Sequence, residues 1–177
     1  PSGEGPPAAI GIPEICAVWG VELIRRLARL AFVGIGVFVA LSTWLQPILH
    51  HDDISSGAAG AMLAGMLLAG TIGCAVLPPA VARAGAERRY LMIAVAWISA
   101  CLVGLAVLHR LIVVDFVLIA ALGFVLLAAL PVMLELIERC MGASGGVATG
   151  TLLLVGNAGG LIVAVVIGAL VDIPALA

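Results

Sequence analysis

Long apolar stretches alternate with short polar segments along most of this chain. Five stretches are near or above the ~20 apolar residues that an α-helix needs to cross a bilayer. They cover roughly residues 28–49, 57–80, 90–108, 111–134 and 145–172. The pattern therefore predicts an all-α membrane protein with five transmembrane helices.

Two shorter segments precede the first stretch. Residues 1–13 are rich in proline and glycine and lack periodicity, so we expect a flexible linker. In residues 14–27, apolar side chains tend to one helical face and charged ones to the other. Glu22 and Arg26 are four residues apart, where helical side chains can pair. We expect an amphipathic helix that lies on the membrane surface.

The composition supports a membrane protein and excludes one class of partner. Of the 177 residues, 64% are hydrophobic and 10% are charged, whereas a soluble domain carries about 25% charged residues. The formal net charge is −2, so the chain lacks the basic surface that nucleic acid requires. The first residue is Pro1, and the chain stops just after the fifth stretch, which suggests a fragment of a longer protein.

The arginines predict the orientation in the membrane. Seven of the eight lie before the first stretch or in the polar segments that follow the second and fourth. These seven are Arg25, Arg26, Arg29, Arg83, Arg88, Arg89 and Arg139. The positive-inside rule then places the N-terminus in the cytoplasm and the C-terminal end outside. The expected location is a bacterial inner (plasma) membrane.

The polar segment between the second and third stretches resembles a known loop signature. Residues 79–91 read PAVARAGAERRYL, which is similar to a degenerate copy of the G-x-x-x-D-R-x-G-R-R loop of the major facilitator superfamily. The positions that match in kind are Arg83, Gly85, Arg88 and Arg89. Ala82 stands where the acidic residue belongs, and one extra residue separates Gly85 from the arginine pair. Such degeneracy is typical of the copy between the eighth and ninth helices.

This resemblance, which covers residues 14–172, implies a fold and a function. The five stretches would be helices seven to eleven, an incomplete six-helix half-bundle. The missing partners would be the N-terminal half and the twelfth helix of the same protein. The family moves small solutes by secondary active transport, in which two halves alternate in access around a midplane site. The first, second, fourth and fifth crossings would face the cavity, and the third would lie outside.

The resemblance also implies a gate at the arginine loop. Arg83, Arg88 and Arg89 would pair with carboxylates or helix C-termini in one state of the cycle. The alternative is that they only determine topology on a solvated loop. Near the end of the fourth crossing, Glu135 and Glu138 are expected to form gate salt bridges with arginines such as Arg139.

Four polar or aromatic residues are candidates for the substrate cavity. Asn157 lies near the centre of the fifth crossing, where a polar residue either serves function or bonds a neighbouring helix. Trp44 is an interfacial anchor or a stacking surface for substrate. Gln46 is either solvated or faces the cavity. Asp115 either titrates in a proton-coupled cycle or is a hydrated carboxylate at the membrane edge.

The remaining motifs add no further chemistry. The His50–Asp53 segment is expected to be a solvated outer loop, because adjacent residues rarely converge on one metal ion. No nucleotide-binding loop and no catalytic triad occurs in the sequence. We therefore expect no enzyme, no metal and no cofactor. The alternative to a transporter is a membrane scaffold or assembly subunit that is complete with five crossings.

Overall fold

The computed structural model describes residues 12–51, 56–108 and 112–171, with side chains over 13–45, 56–107 and 112–169. Within these ranges the chain is almost entirely helical, as predicted. The helices are α1 (Ile12–Trp19), α2 (Glu22–His51), α3 (Ser56–Ala84), α4 (Glu87–Leu108), α5 (Ile112–Met141) and α6 (Gly145–Val171). A 3₁₀ turn, Gly142–Ser144, joins α5 to α6.

The helices are long and apolar enough for a bilayer. The described residues contain four candidate membrane spans, which are Glu22–Leu45, Ser56–Ala84, Glu87–Val107 and Ile112–Ala169. The last of these is 58 residues long and contains both α5 and α6. With 30 and 27 residues, these two helices are about 45 and 40 Å long. Each therefore exceeds the ~30 Å hydrocarbon core of a bilayer.

The N-terminal region differs from its prediction. Residues 14–27 do not form one surface helix, because α1 ends before Gly20 and the remaining residues belong to the first long helix. The amide of Gly20 donates to the carbonyl of Cys16 at 3.1 Å, which closes the last turn of α1. Glu22 then starts α2, where its charge complements the positive helix end. The predicted pair is confirmed, with Nε of Arg26 3.0 Å from Oε1 of Glu22.

Prolines lie inside α3 and α5 without ending either helix. Pro78 and Pro79 do not end α3, which continues to Ala84, and α5 likewise runs through Pro131. Membrane helices tolerate proline because neighbouring groups can satisfy the backbone carbonyls that it frees. The second and fourth crossings are therefore longer than the apolar stretches that predicted them.

Helices α2 and α6 form one closely packed parallel pair. Gly159 lies against Phe32, where an added Cβ would be 2.8 Å from the Cα of Phe32. Nearer the ends of both helices, Gly168 lies against Trp44. Contacts that lie later in α2 are made with residues that lie later in α6. The two helices therefore run in the same direction. The glycines permit this close approach of the two backbones.

Helices α3 and α5 form a second parallel pair by the same means. Gly65 lies against Phe116, and Gly73 lies against the backbone of Phe124. An added Cβ on Gly73 would be 2.9 Å from the carbonyl carbon of Phe124. Because these glycines face backbone or aromatic atoms, the pair has little room for larger residues.

Helix α4 lies at the outside of the bundle and packs mainly on α5. The hydroxyl of Tyr90 donates to the carbonyl of Val125 at 3.0 Å, and the indole N–H of Trp97 donates to that of Ala121 at 3.3 Å. On its other side, Met92 is 68% exposed and Val107 is 70% exposed. This outward apolar face suits contact with lipid.

Candidate functional site

One end of the bundle carries most of the charged side chains that the structure describes. Buried apolar residues of α1, the start of α2, the start of α4, the end of α5 and the start of α6 form one cluster. Their members include Val18, Ile24, Leu91, Ile137 and Ala148. The seven arginines singled out above lie on these same helix ends or on the last turn of α3. We call this region the arginine end.

Arg139 links three helices at the arginine end. Its Nη1 lies 2.8 Å from Oε1 of Glu87, the first residue of α4. Its Nε bonds Glu135 at 2.9 Å within α5, and its Nη2 donates to the carbonyl of Ala82 in the last turn of α3 at 3.3 Å. The predicted pairing of Glu135 with Arg139 is therefore present. Glu138 is exposed and makes no ion pair within the described residues.

Glu87 is the group that the sequence analysis missed. It is 6% exposed, and it occupies the loop position just before the arginine pair. In the sequence it stands next to Arg88 and Arg89 and looks like one more solvated charge. Its position at the start of a helix, three residues after the end of the preceding one, is the signal that could have identified it. A carboxylate is favourable at a helix N-terminus, and the short turn forces it inward.

The three loop arginines do not form the ion pairs expected of a latch. Arg83, Arg88 and Arg89 are exposed, and none has an ion-pair partner in the part of the chain that the structure describes. In this conformation the cross-helix ion pair at the arginine end belongs to Arg139 and Glu87.

Gly85 has a structural reason to be in the loop. Its φ is +58°, a conformation that residues with a Cβ rarely adopt. The amide of Ala86 donates to the carbonyl of Val81 at 3.2 Å, and that of Gly85 donates to Ala82 at 3.2 Å. This is the Schellman arrangement that ends an α-helix. Gly85 therefore terminates α3 and sets the tight turn into α4.

Asn157 lies on the side of α6 that faces away from α2. Its Nδ2 donates to the carbonyl of Leu153 at 2.8 Å, one turn earlier in the same helix. The side chain is exposed, so within the described residues it does not bond a neighbouring helix. Leu154 and Leu161, one turn before and after it, are 67% and 68% exposed. The face of α6 that carries Asn157 is therefore not covered by another described helix.

The other cavity candidates lie elsewhere. Asp115 lies in the first turn of α5 and is 3% exposed. Trp44 packs on Gly168 between α2 and α6, and its Nε1 is buried without a hydrogen-bond partner among the described residues. The side chain of Gln46 and the segment 50–53 fall outside the described side chains. Among the described side chains, Asp115 and Trp44 do not share a pocket with Asn157.

A groove of about 410 Å³ lies between α2, α4 and α5. Its walls are apolar except for Ser99 of α4, and it contains none of the predicted cavity residues. Gly34 and Phe38 of α2 form one wall, and Leu126 of α5 lies in its floor. The pattern of apolar residues alone does not reveal this groove, because its position depends on how the three helices pack.

Comparison with known proteins finds one archaeal relative of unestablished role. No protein-family model matches the chain. An uncharacterized protein of Archaeoglobus fulgidus is 31% identical over 146 residues, which cover 78% of this chain. The chain spans 64% of the length of that relative, which is therefore about 230 residues long. This similarity does not itself indicate an activity.

Proposed function

We propose that this bundle is one half of a secondary transporter that carries a small solute by alternating access, as the major facilitator superfamily does. The observation that carries the proposal is the pairing of helices: α2 with α6 and α3 with α5, each in parallel, with α4 on the periphery. Parallel pairs of this kind arise when three-helix units repeat with inverted topology, an arrangement found in many transporters. The family resemblance also implied that the third crossing, α4, lies outside.

In this proposal the arginine end is the cytoplasmic gate. The N-terminus lies in the cytoplasm of a bacterial cell, and the C-terminal end of α6 lies outside. The two glycine-packed pairs move as rigid bodies, because their backbones are too close to slide past one another. The contacts of Arg139 with Glu87 and Ala82 hold the ends of α3, α4 and α5 together. Opening of the gate would exchange these contacts for others with the loop arginines.

The open face of α6 supplies the substrate contact. A side-chain amide at mid-depth on an exposed face is costly in lipid unless it meets a polar partner or a hydrated cavity. The second half of the transporter covers this face and leaves a cavity beside Asn157. Because the surrounding side chains are apolar, the preferred solute is amphipathic or hydrophobic.

The length of the archaeal relative supports a second candidate. At about 230 residues, it has room for about three further helices beyond the matched region, fewer than the seven that a twelve-helix transporter would add. Such a chain either joins a second chain to make a two-sided path or acts without transport as a membrane assembly subunit.

Reconstitution separates the two candidates. Solutes that raise the melting temperature of the full-length protein are identified first from a panel of small amphipathic and polar compounds. Their uptake is then measured in vesicles that contain the protein. We expect uptake that falls at least tenfold in Asn157→Ala and is unchanged in Met92→Ala, which alters the outward face of α4. Arg83→Ala is expected to slow uptake by impairing the gate. If no stabilising solute is taken up, the transporter is excluded and the assembly subunit is the remaining candidate.

A further inference from the structure

The groove between α2, α4 and α5 has the shape of a site for one extended chain. Its volume of about 410 Å³ falls within the ~300–1,000 Å³ typical of small-molecule sites. Along α4 it extends from Leu91 to Leu102, which is about 16 Å at the helical rise per residue. That length is close to half of the ~30 Å hydrocarbon core. The groove therefore reaches from the arginine end to about the depth of one leaflet.

The groove opens sideways, away from the packed interior. Val33 on the α2 wall is 60% exposed and Val95 on the α4 wall is 45% exposed. Its floor is formed by α5 residues that are buried or half-buried, such as Leu126. Within the described residues, the groove is therefore open at the side of the bundle and closed towards its interior.

Each wall of the groove is preceded by an arginine on its own helix, at the arginine end. On α2, Arg29 precedes Val33 by four residues and therefore lies one turn earlier on the same helical face. On α4, Arg88 precedes Leu91 by three residues and Val95 by seven, so it lies on the groove face of that helix. Each lip of the groove, at Val33 and at Val95, therefore has an arginine on the same helical face, one or two turns nearer the arginine end.

Within the described residues, no carboxylate neutralises these two arginines. Nε of Arg29 donates to the carbonyl of Arg25 at 3.3 Å, a contact that leaves its charge in place. Neither Arg29 nor Arg88 has an ion-pair partner in residues 13–45, 56–107 and 112–169. Of the carboxylates at this end, Glu22 pairs with Arg26, and Glu87 and Glu135 pair with Arg139. An apolar groove whose mouth carries two uncompensated positive charges is complementary to an anionic amphiphile.

We propose that this groove binds one anionic glycerophospholipid, with an acyl chain between α2 and α4 and the phosphate between Arg29 and Arg88. Basic sites between transmembrane helices are known to hold anionic lipid headgroups. Both parts of the molecule contribute, since the chain fills apolar volume and the headgroup neutralises the arginines. The site is independent of any transported solute.

Binding of defined lipids to the full-length protein in detergent tests this site. Native mass spectrometry would compare phosphatidylglycerol with phosphatidylcholine of the same acyl chains. We expect one molecule of phosphatidylglycerol per chain, bound at least tenfold more tightly than phosphatidylcholine. Arg29→Gln and Arg88→Gln should each weaken phosphatidylglycerol binding about fivefold and leave phosphatidylcholine unaffected. Arg83→Gln, on α3, is the matched charge control and should change neither.

Filling the groove tests the acyl chain. A Cβ on Gly34 would lie 3.7 Å from Cδ1 of Leu126, an ordinary contact, so Gly34→Leu places its branched end in the groove. This variant should weaken both lipids at least tenfold, whereas Gly150→Leu, at an open glycine of α6, should not. Val95→Phe and its control Val103→Phe, also on α4, give the same comparison if Gly34→Leu does not fold.

Several results would overturn the proposal. Equal affinity for the two lipids, or equal weakening by Arg83→Gln, would mean that no specific headgroup site exists. Unchanged binding in both groove-filling variants would exclude the groove. Competition by glycerol 3-phosphate at the same concentrations as the lipid would indicate a phosphate site without an acyl chain. A dimer of the wild-type protein that Val95→Phe does not form would mean that a second copy of the chain, and not a lipid, occupies the groove.

Discussion

Arg139, near the end of α5, forms an ion pair of 2.8 Å with Glu87, the first residue of α4. The two partners differ in environment, because the side chain of Glu87 is 8% exposed and that of Arg139 is 45% exposed. The pair therefore matters mainly as the compensation of a buried carboxylate. Since Arg139 also bonds the carbonyl of Ala82, one side chain connects the ends of three helices.

Loss of the arginine should destabilise the bundle. Arg139→Gln leaves the Glu87 carboxylate buried without its cation, which we expect to cost about 2 kcal/mol of unfolding free energy. Unfolding of the protein in mixed micelles by added sodium dodecyl sulfate, followed by circular dichroism, measures this. Arg88→Gln is the control, because the exposed side chain of Arg88 has no ion-pair partner among the described residues, and it should change stability by less than about 0.5 kcal/mol.

A double-mutant cycle should show that Arg139 and Glu87 act together. Glu87→Gln removes the buried charge, so Arg139→Gln should cost about 1 kcal/mol less in that background than in the wild type. The same unfolding assay measures all four proteins. Strictly additive costs would mean that the ion pair seen in the structure contributes nothing to stability.

The glycine-packed pair of α3 and α5 should resist added volume. In Gly73→Ala the new methyl group meets the backbone of Phe124, which cannot rotate away as a side chain could. We expect a loss of about 2 kcal/mol, as in other overpacked sites. Gly60→Ala, on the same helix, has open space within 4 Å of the new atom and serves as control. Similar losses for the two variants would contradict the close parallel packing of α3 on α5.

The turn between α3 and α4 should depend on glycine. Gly85→Ala forces a residue with a Cβ into a positive φ, which costs about 1 kcal/mol. Gly85→Asn should cost less, because asparagine tolerates this conformation better than alanine does. Thermal unfolding in detergent ranks the three proteins. Equal stability of the alanine and asparagine variants would argue against the Schellman turn.

The positions of the helices could be predicted from sequence because a membrane helix needs a long apolar stretch, and this chain has little else. The ends were less accurate. Polar residues at the ends of α3 and α5 continue the helix beyond the apolar stretch, so both helices end later than hydropathy indicates. At the N-terminus, amphipathicity continues across Gly20, and periodicity alone does not locate the break between α1 and α2.

The candidate site was harder to predict because it depends on side-chain burial across helices. Seven arginines indicated a charged end, but which carboxylate they compensate follows from the turn geometry that buries Glu87. The burial of Asp115 is likewise not visible in the sequence. The groove forms only where α2, α4 and α5 pack together, and the order of apolar stretches in the sequence does not indicate which helices pack together. Gating by Arg83 and substrate contact by Asn157 stay predictions.

The orientation of the bundle can be tested with two single-cysteine proteins. Cys140 is exposed at the arginine end, next to Arg139, while Ser56 is exposed at the start of α3, at the opposite end. One protein would keep Cys140 as its sole cysteine, and a second would carry only Ser56→Cys.

A membrane-impermeant maleimide applied to intact spheroplasts distinguishes the two ends. Because seven arginines lie at the Cys140 end, the positive-inside rule predicts that Cys140 is labelled only after permeabilisation, whereas Ser56→Cys is labelled at once. The reverse pattern would place the arginines outside and would exclude the cytoplasmic gate. Labelling of both before permeabilisation would mean that the two ends are not separated by a membrane, and that α3 does not span it.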